Sequence, residues 1–254
     1  MRKALLIVSV AVFGLSFGGG EQAVSTFTDK RDGKVYRIVK IGGQSWFAEN
    51  LNYAAEGSVC YGEGGKVNSV TIVVEYDKIL EPIPTTTLSN TEVQANCKKY
   101  GRLYNWETAL KACPAGTHLP SDDEWTRLVD YVGGEEKAGT MLKSSRGWES
   151  YCYETSYGEY NFLEKMKCNS CCKPAGTNNY GFLALPGGYS LNNNRNFSGA
   201  ERIGLWWSAT EYDALTVWGR HMYNHSEKVN RYYRNKTSLF SVRCVVDDGK
   251  EAQK

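Results

Sequence analysis

The sequence predicts an α+β fold, and three observations carry that reading. Residues 101–134 read as helix, stop, helix; the stretches on either side alternate in the manner of strands separated by turns. Eight cysteines, an even number, follow an N-terminus of export type and predict disulfide staples.

In chain order, Arg2 and Lys3 followed by the apolar run 4–17 have the layout of a secretory signal peptide, with small residues at Ser16, Gly18 and Gly20 for cleavage. Residues 1–20 are expected to be removed, and 21–28 to form a flexible mature terminus. Residues 36–41 alternate as a strand, Asp32-Gly33 and Gly42-Gly43 supply turns, and 44–47 resume as a second strand. Residues 62–96 contain the β-branched run 70–80, expected as a strand, then a loop rich in proline and threonine. That strand is either an added edge or part of an exposed flap.

The helical stretch follows. Leu103, Tyr104, Trp106, Ala109, Leu110 and Ala112 recur at helical spacing, predicting an amphipathic helix through 101–113 that Pro114 and Gly116 stop. Ser121 and Glu124 form a capping box, Asp122 and Asp123 sit in the first turn against the helix dipole, and Trp125, Leu128, Val129 and Val132 make the buried stripe. Gly133-Gly134 ends that helix, and 137–142 reads as a short third one. Residues 149–178 hold Cys152, Cys168, Cys171 and Cys172 with hardly any aliphatic side chains, so bridges must hold a segment that cannot build its own core. Beyond Tyr180 the pattern is strand and turn: a strand at 182–185, a turn at 186–188, a polar loop at 191–199 and a buried central strand at 204–210. Strands 215–223, 229–234 and 238–246 then complete an antiparallel meander. Trp206 and Trp207 are consecutive and point to opposite faces, so at least one belongs in the core. Residues 248–254 read as a disordered tail.

Hydrophobic residues make up 41% of the 254, enough for a packed core, and the net charge of +2 gives no nucleic-acid footprint. No cysteine follows the export run, which argues against a lipid anchor.

Five segments carry a family resemblance: SWFAENLNY (45–53), GRLYNWETALKACPAGTHLPSDDEW (101–125), YGFLALPGGY (180–189), GLWWSATE (204–211) and FSVRCVVD (240–247). In this order they resemble the Fibrobacter succinogenes major paralogous domain, a family of secreted bacterial surface domains with a C-type-lectin-like fold. The resemblance implies one domain over 29–247, with two helices packed on short twisted antiparallel sheets and insertions at 62–96 and 149–178. It also implies disulfides Cys60 to Cys97 and Cys113 to Cys244, and it leaves open the pairing among Cys152, Cys168, Cys171 and Cys172. Location at the outer cell surface or outside the cell follows from the same likeness.

No catalytic or metal constellation emerges. CNSCC (168–172) lacks a second matching pair for zinc, and an exported chain favours disulfides there. His221 and His225 lie four apart across a turn, which is poor ligand geometry, and His118 is expected to pack in the core. Ser208 and Ala209 stand where a calcium-dependent lectin needs Asn and Asp, and Asp122, Asp123 and Glu124 read as helix-start charges. Neither a cofactor nor an enzyme activity is expected. What remains is recognition by rings and amides: Tyr189 with Asn192, Asn193, Asn194 and Arg195, Trp218 and Tyr223 on the meander facing that loop, and Trp148 with Tyr151 at the cysteine-rich insertion. The expected function is a non-catalytic binding or adhesion domain for an extracellular polysaccharide or surface protein; the alternative is a structural part of an outer-surface assembly.

Overall fold

The computed structural model describes residues 25–68, 85–152, 172–173, 176–191 and 194–247. The expected signal peptide, the run 70–80, Cys168, Cys171, Asn192, Asn193 and the C-terminal tail lie outside these residues.

β1 (Ser25–Thr28) pairs antiparallel with β2 (Val35–Ile41), so the end of the segment read as a flexible terminus is a strand. β2 then forms the expected hairpin with β3 (Gln44–Phe47). β4 (Lys66–Asn68) and β5 (Thr85–Thr86) come next. They lead into a helix that the sequence reading missed, α1 (Asn90–Tyr100). Its start is a capping box, Ser89 with Glu92, and Gly101 ends it at φ 78°, where a side chain would strike the Leu51 carbonyl.

The predicted helix at 101–113 is shorter than expected. Leu103 and Tyr104 form β6 (Leu103–Tyr104); Asn105 caps α2 (Trp106–Ala112) by accepting from the Thr108 N–H. β7 (Thr117–His118) separates it from α3 (Asp122–Tyr131), whose Ser121 and Glu124 make the expected box, and α4 (Glu135–Leu142) follows. β8 (Tyr151–Cys152) and β9 (Cys172–Lys173) pair antiparallel with Cys152 opposite Cys172.

The expected strand at 182–185 is absent, reduced to one parallel bridge between Ala184 and Lys143. The reason is Arg243, fully buried, whose guanidinium donates to the carbonyls of Phe182, Leu183 (3.3 Å) and Phe47 (3.0 Å) and to Asn50 Oδ1 (2.7 Å). Carbonyls satisfied by a side chain need no ladder. Burial pulls the Arg243 pKa down to about 9.

Gly187 and Gly188 of the expected turn and 196–199 of the expected loop are strand: β10 (Gly187–Ser190) and β11 (Asn196–Ala200) pair antiparallel. β12 (Ile203–Glu211), β13 (Thr216–Tyr223) and β14 (Asn230–Asn235) form an antiparallel meander, in which the expected third strand at 238–246 takes no part. The last stretch splits into β15 (Phe240–Ser241), parallel to β12, and β16 (Val245–Val246), paired with β3 and β7.

The sheets run β1-β2-β3-β16-β7, β10-β11-β4-β5, β14-β13-β12-β15-β6 and β8-β9. Trp206 and Trp207 are both fully buried, on opposite faces of β12, in two separate apolar clusters. The first cluster holds Trp207, Phe240, Tyr104, Phe47 and the α2 face; the second holds Trp206, Trp46, Trp125 and Phe182 with the α3 and α4 faces. Disulfides join Cys60 to Cys97 and Cys113 to Cys244. Among the described residues no helix is long and apolar enough to cross a membrane.

Candidate functional site

Of the residues singled out for recognition, several do other work. Trp148 is only 9% exposed and donates through Nε1 to the Ala184 carbonyl, so it is a core ring. Asn194 is exposed, and its Oδ1 accepts from the Asn196 N–H at 3.0 Å and so shapes the turn. Arg195 takes a left-handed conformation, φ 52°, and donates to the Glu63 carbonyl at 3.2 Å. For Tyr151 only the backbone is described, as part of β8.

Tyr189 and Tyr223 are half-buried against the first apolar cluster. Burial raises the Tyr189 hydroxyl above its usual pKa. Burial also pushes His221, whose ring lies 4.8 Å from that of Tyr223, down to about 4, leaving it neutral at physiological pH. Trp218 and Tyr223 were expected to face one loop together. They stand five residues apart on an unbulged stretch of β13, which puts them on opposite faces, Trp218 with Arg220 and Tyr223 with Val217.

On its own face Trp218 joins two tyrosines that the sequence reading did not select. Tyr233 is its cross-strand partner on β14, and Tyr212 follows the end of β12. Tyr212 and Tyr233 stack at 4.2 Å and 8°, and each meets Trp218 edge-on, at 4.9 and 5.9 Å. With Tyr212 49% and Tyr233 46% exposed, the stack stands in solvent at the tip of the β12–β13 hairpin. That tip is well fixed. Asp213 accepts from the N–H groups of Leu215 and Thr216, both at 2.8 Å, and Lys236 Nζ bonds the Ala214 carbonyl and Glu211.

The platform is braced from beneath. Arg231 lies 3.4 Å over the Trp218 ring, and its other bonds go to Asp122 at 2.9 Å. Asp122 also pairs with Arg220, which is almost fully buried and donates to Thr126 Oγ1 at 2.9 Å. So Asp122, expected as a mere helix-start charge, is the buried hub of an ion triad. Burial alone would raise its pKa, but the hydrogen bonds and charges of Arg231 and Arg220 outweigh that and leave it below its ordinary value. Glu124 departs from expectation too, because beyond capping α3 it accepts from His118.

His118 is not the packed core residue expected. It is half-exposed, with Nδ1 2.7 Å from Asp247 and Nε2 2.9 Å from Glu124. Burial alone would lower its pKa; the two carboxylates outweigh that and raise it. Among the described residues, no three or more His, Cys, Asp or Glu side chains are grouped to hold a metal ion. At the hairpin tip the arrangement exposes ring faces held in place by one another and by a guanidinium.

The family model described as the Fibrobacter succinogenes major domain matches residues 39–246. No curated protein and no solved structure matches the chain. The match runs through both apolar clusters, the Cys113–Cys244 bridge and the hairpin tip, and with well over half its length covered, the chain belongs to the Fibrobacter succinogenes major domain family.

Proposed function

We propose that the chain is a secreted, non-catalytic domain of C-type-lectin-like architecture that binds polysaccharide at or beyond the outer cell surface without calcium. The lectin-like assignment is supported by helices packed on short antiparallel sheets and by a bridge from the end of α2 to the last strands. Secretion is supported by the export-type N-terminus and by two disulfides, which persist in oxidising compartments.

One observation carries the binding reading: the exposed stack of Tyr212 and Tyr233 on Trp218. Sugar rings present flat C–H faces that pack on aromatic rings, while their hydroxyls seek donors at the edge. Each tyrosine covers one face of the other, and Arg231 covers one face of Trp218. The ring faces left for a ligand are thus the outer ones of the tyrosine pair, with Trp218 as their support.

The oxidised chain should be retained on insoluble polysaccharides and should score on a glycan panel. Tyr212→Ala and Tyr233→Ala are each predicted to weaken binding about tenfold, the equivalent of one lost ring contact of about 1.4 kcal/mol. Tyr189→Ala should change retention little. Undiminished binding in both hairpin-tip variants would exclude the platform.

A further inference from the structure

The opposite end of β12 borders a cleft of about 340 Å³. β12 is nine residues long, so at about 3.3 Å per residue the cleft and the hairpin tip lie roughly 30 Å apart. They are separate sites.

One wall of the cleft is α1, which supplies Asn96, Lys99 and Tyr100; the facing wall includes Tyr61, Asn68 and the turn at Glu201 and Arg202. The walls are tied together at their base. The Cys60–Cys97 bridge sits next to Tyr61 and Asn96, and Asn96 Nδ2 donates to the Tyr61 carbonyl at 3.2 Å. Glu201 in turn holds Glu149, whose N–H donates to its carbonyl at 2.6 Å. A cleft pinned this way is largely formed before a ligand arrives, which limits the ordering cost of binding.

The charge pattern selects the ligand. Lys99 Nζ lies 2.8 Å from Glu201, which also accepts from the Tyr100 hydroxyl at 3.4 Å, and Arg202 pairs with Glu149. Two cations and two carboxylates cancel. A charged ligand would meet attraction and repulsion side by side and would have to break an existing pair. A neutral polyol can accept from the cations and donate to the carboxylates without disturbing either. Tyr61 and Tyr100, both almost fully buried, close the floor of the cleft, and Asn68 and Asn96 add amides that can bond sugar hydroxyls. The volume lies at the low end of small-ligand pockets, roughly 300–1,000 Å³, which suits a sugar unit or two better than a long chain.

From this geometry we infer that the cleft is a second carbohydrate site, specific for neutral sugar and independent of the aromatic platform. Titration calorimetry would use cellohexaose, maltohexaose and mannohexaose, with oligogalacturonate and chitosan oligosaccharide as charged counterparts. The chain carrying Tyr212→Ala and Tyr233→Ala should still bind at least one neutral hexasaccharide, at least about tenfold more tightly than either charged one. Two sets of cleft substitutions, Lys99→Met with Glu201→Gln, and Asn96→Trp, each introduced into that chain lacking both platform tyrosines, should lose at least about tenfold of that affinity. The first removes both partners of an exposed ion pair, a contact worth little to stability, so it should leave the melting temperature of that chain unchanged. Neutral binding that survives in a cleft variant of unchanged melting temperature, or that vanishes with the platform tyrosines, would overturn the inference. The tyrosine variants report on the platform alone, so the two sites fail separately.

Discussion

Replacing Cys113 and Cys244 together with serine is expected to lower the free energy of unfolding by about 5 kcal/mol, read from urea denaturation under non-reducing conditions. The estimate follows from separation. The two cysteines are 131 residues apart, and the cost of closing a loop in the unfolded chain grows with its length. The Cys60–Cys97 bridge spans 37 residues, and its removal should cost about 4 kcal/mol on the same reasoning. Cys113 follows α2 directly, and Cys244 adjoins β16, which pairs with both β3 and β7. Losing that tie frees the strand that connects the N-terminal hairpin to the rest. A double variant as stable as the parent would show that the bridge constrains nothing.

Asp122→Ala should cost about 3–5 kcal/mol, because it leaves the buried guanidinium of Arg220 without its counter-charge. The same substitution should weaken polysaccharide retention, since Arg231 loses the partner that holds it against Trp218. The pH dependence has a definite sign. The Asp122 carboxyl is depressed in the folded chain, so its contribution is complete above the unfolded value of 3.8 and disappears as pH falls through the lower folded value. Wild-type stability should therefore drop on acidification below about pH 4, and an Asp122→Asn variant should show a shallower drop. Equal acid sensitivity in both chains would remove Asp122 from the account. Replacing Asp122 and Arg220 together with apolar residues should recover part of the loss, since a buried pair is costlier to break than to exchange.

Much of the fold was legible because local signals agreed with the tertiary outcome. The capping box at Ser121 and Glu124, the Gly42-Gly43 turn and the Trp206-Trp207 pair each mean one thing in isolation and the same thing in the structure. Ser89 and Glu92 form the same box, yet α1 escaped notice. It buries only Val93, Cys97 and Tyr100, too sparse a stripe to stand out beside a Pro- and Thr-rich stretch. Leu103 and Tyr104 misled in the other direction. Their spacing continues the apolar pattern of α2, but their partners are Ser241 and Phe240, far along the chain. The strand expected at 182–185 failed because an arginine sixty residues away took its carbonyls. The hairpin-tip site was hidden for a similar reason: Tyr212, Trp218 and Tyr233 meet through the β12–β13 hairpin and the pairing of β13 with β14. Sequence marked Trp218 by its type but had no means of supplying its neighbours.

β12 gives one indole to each interior. It is a party wall, and loosening the packing on either side withdraws support from the other. The two apolar clusters are therefore expected to unfold together, in one transition shared by tryptophan fluorescence and far-UV circular dichroism.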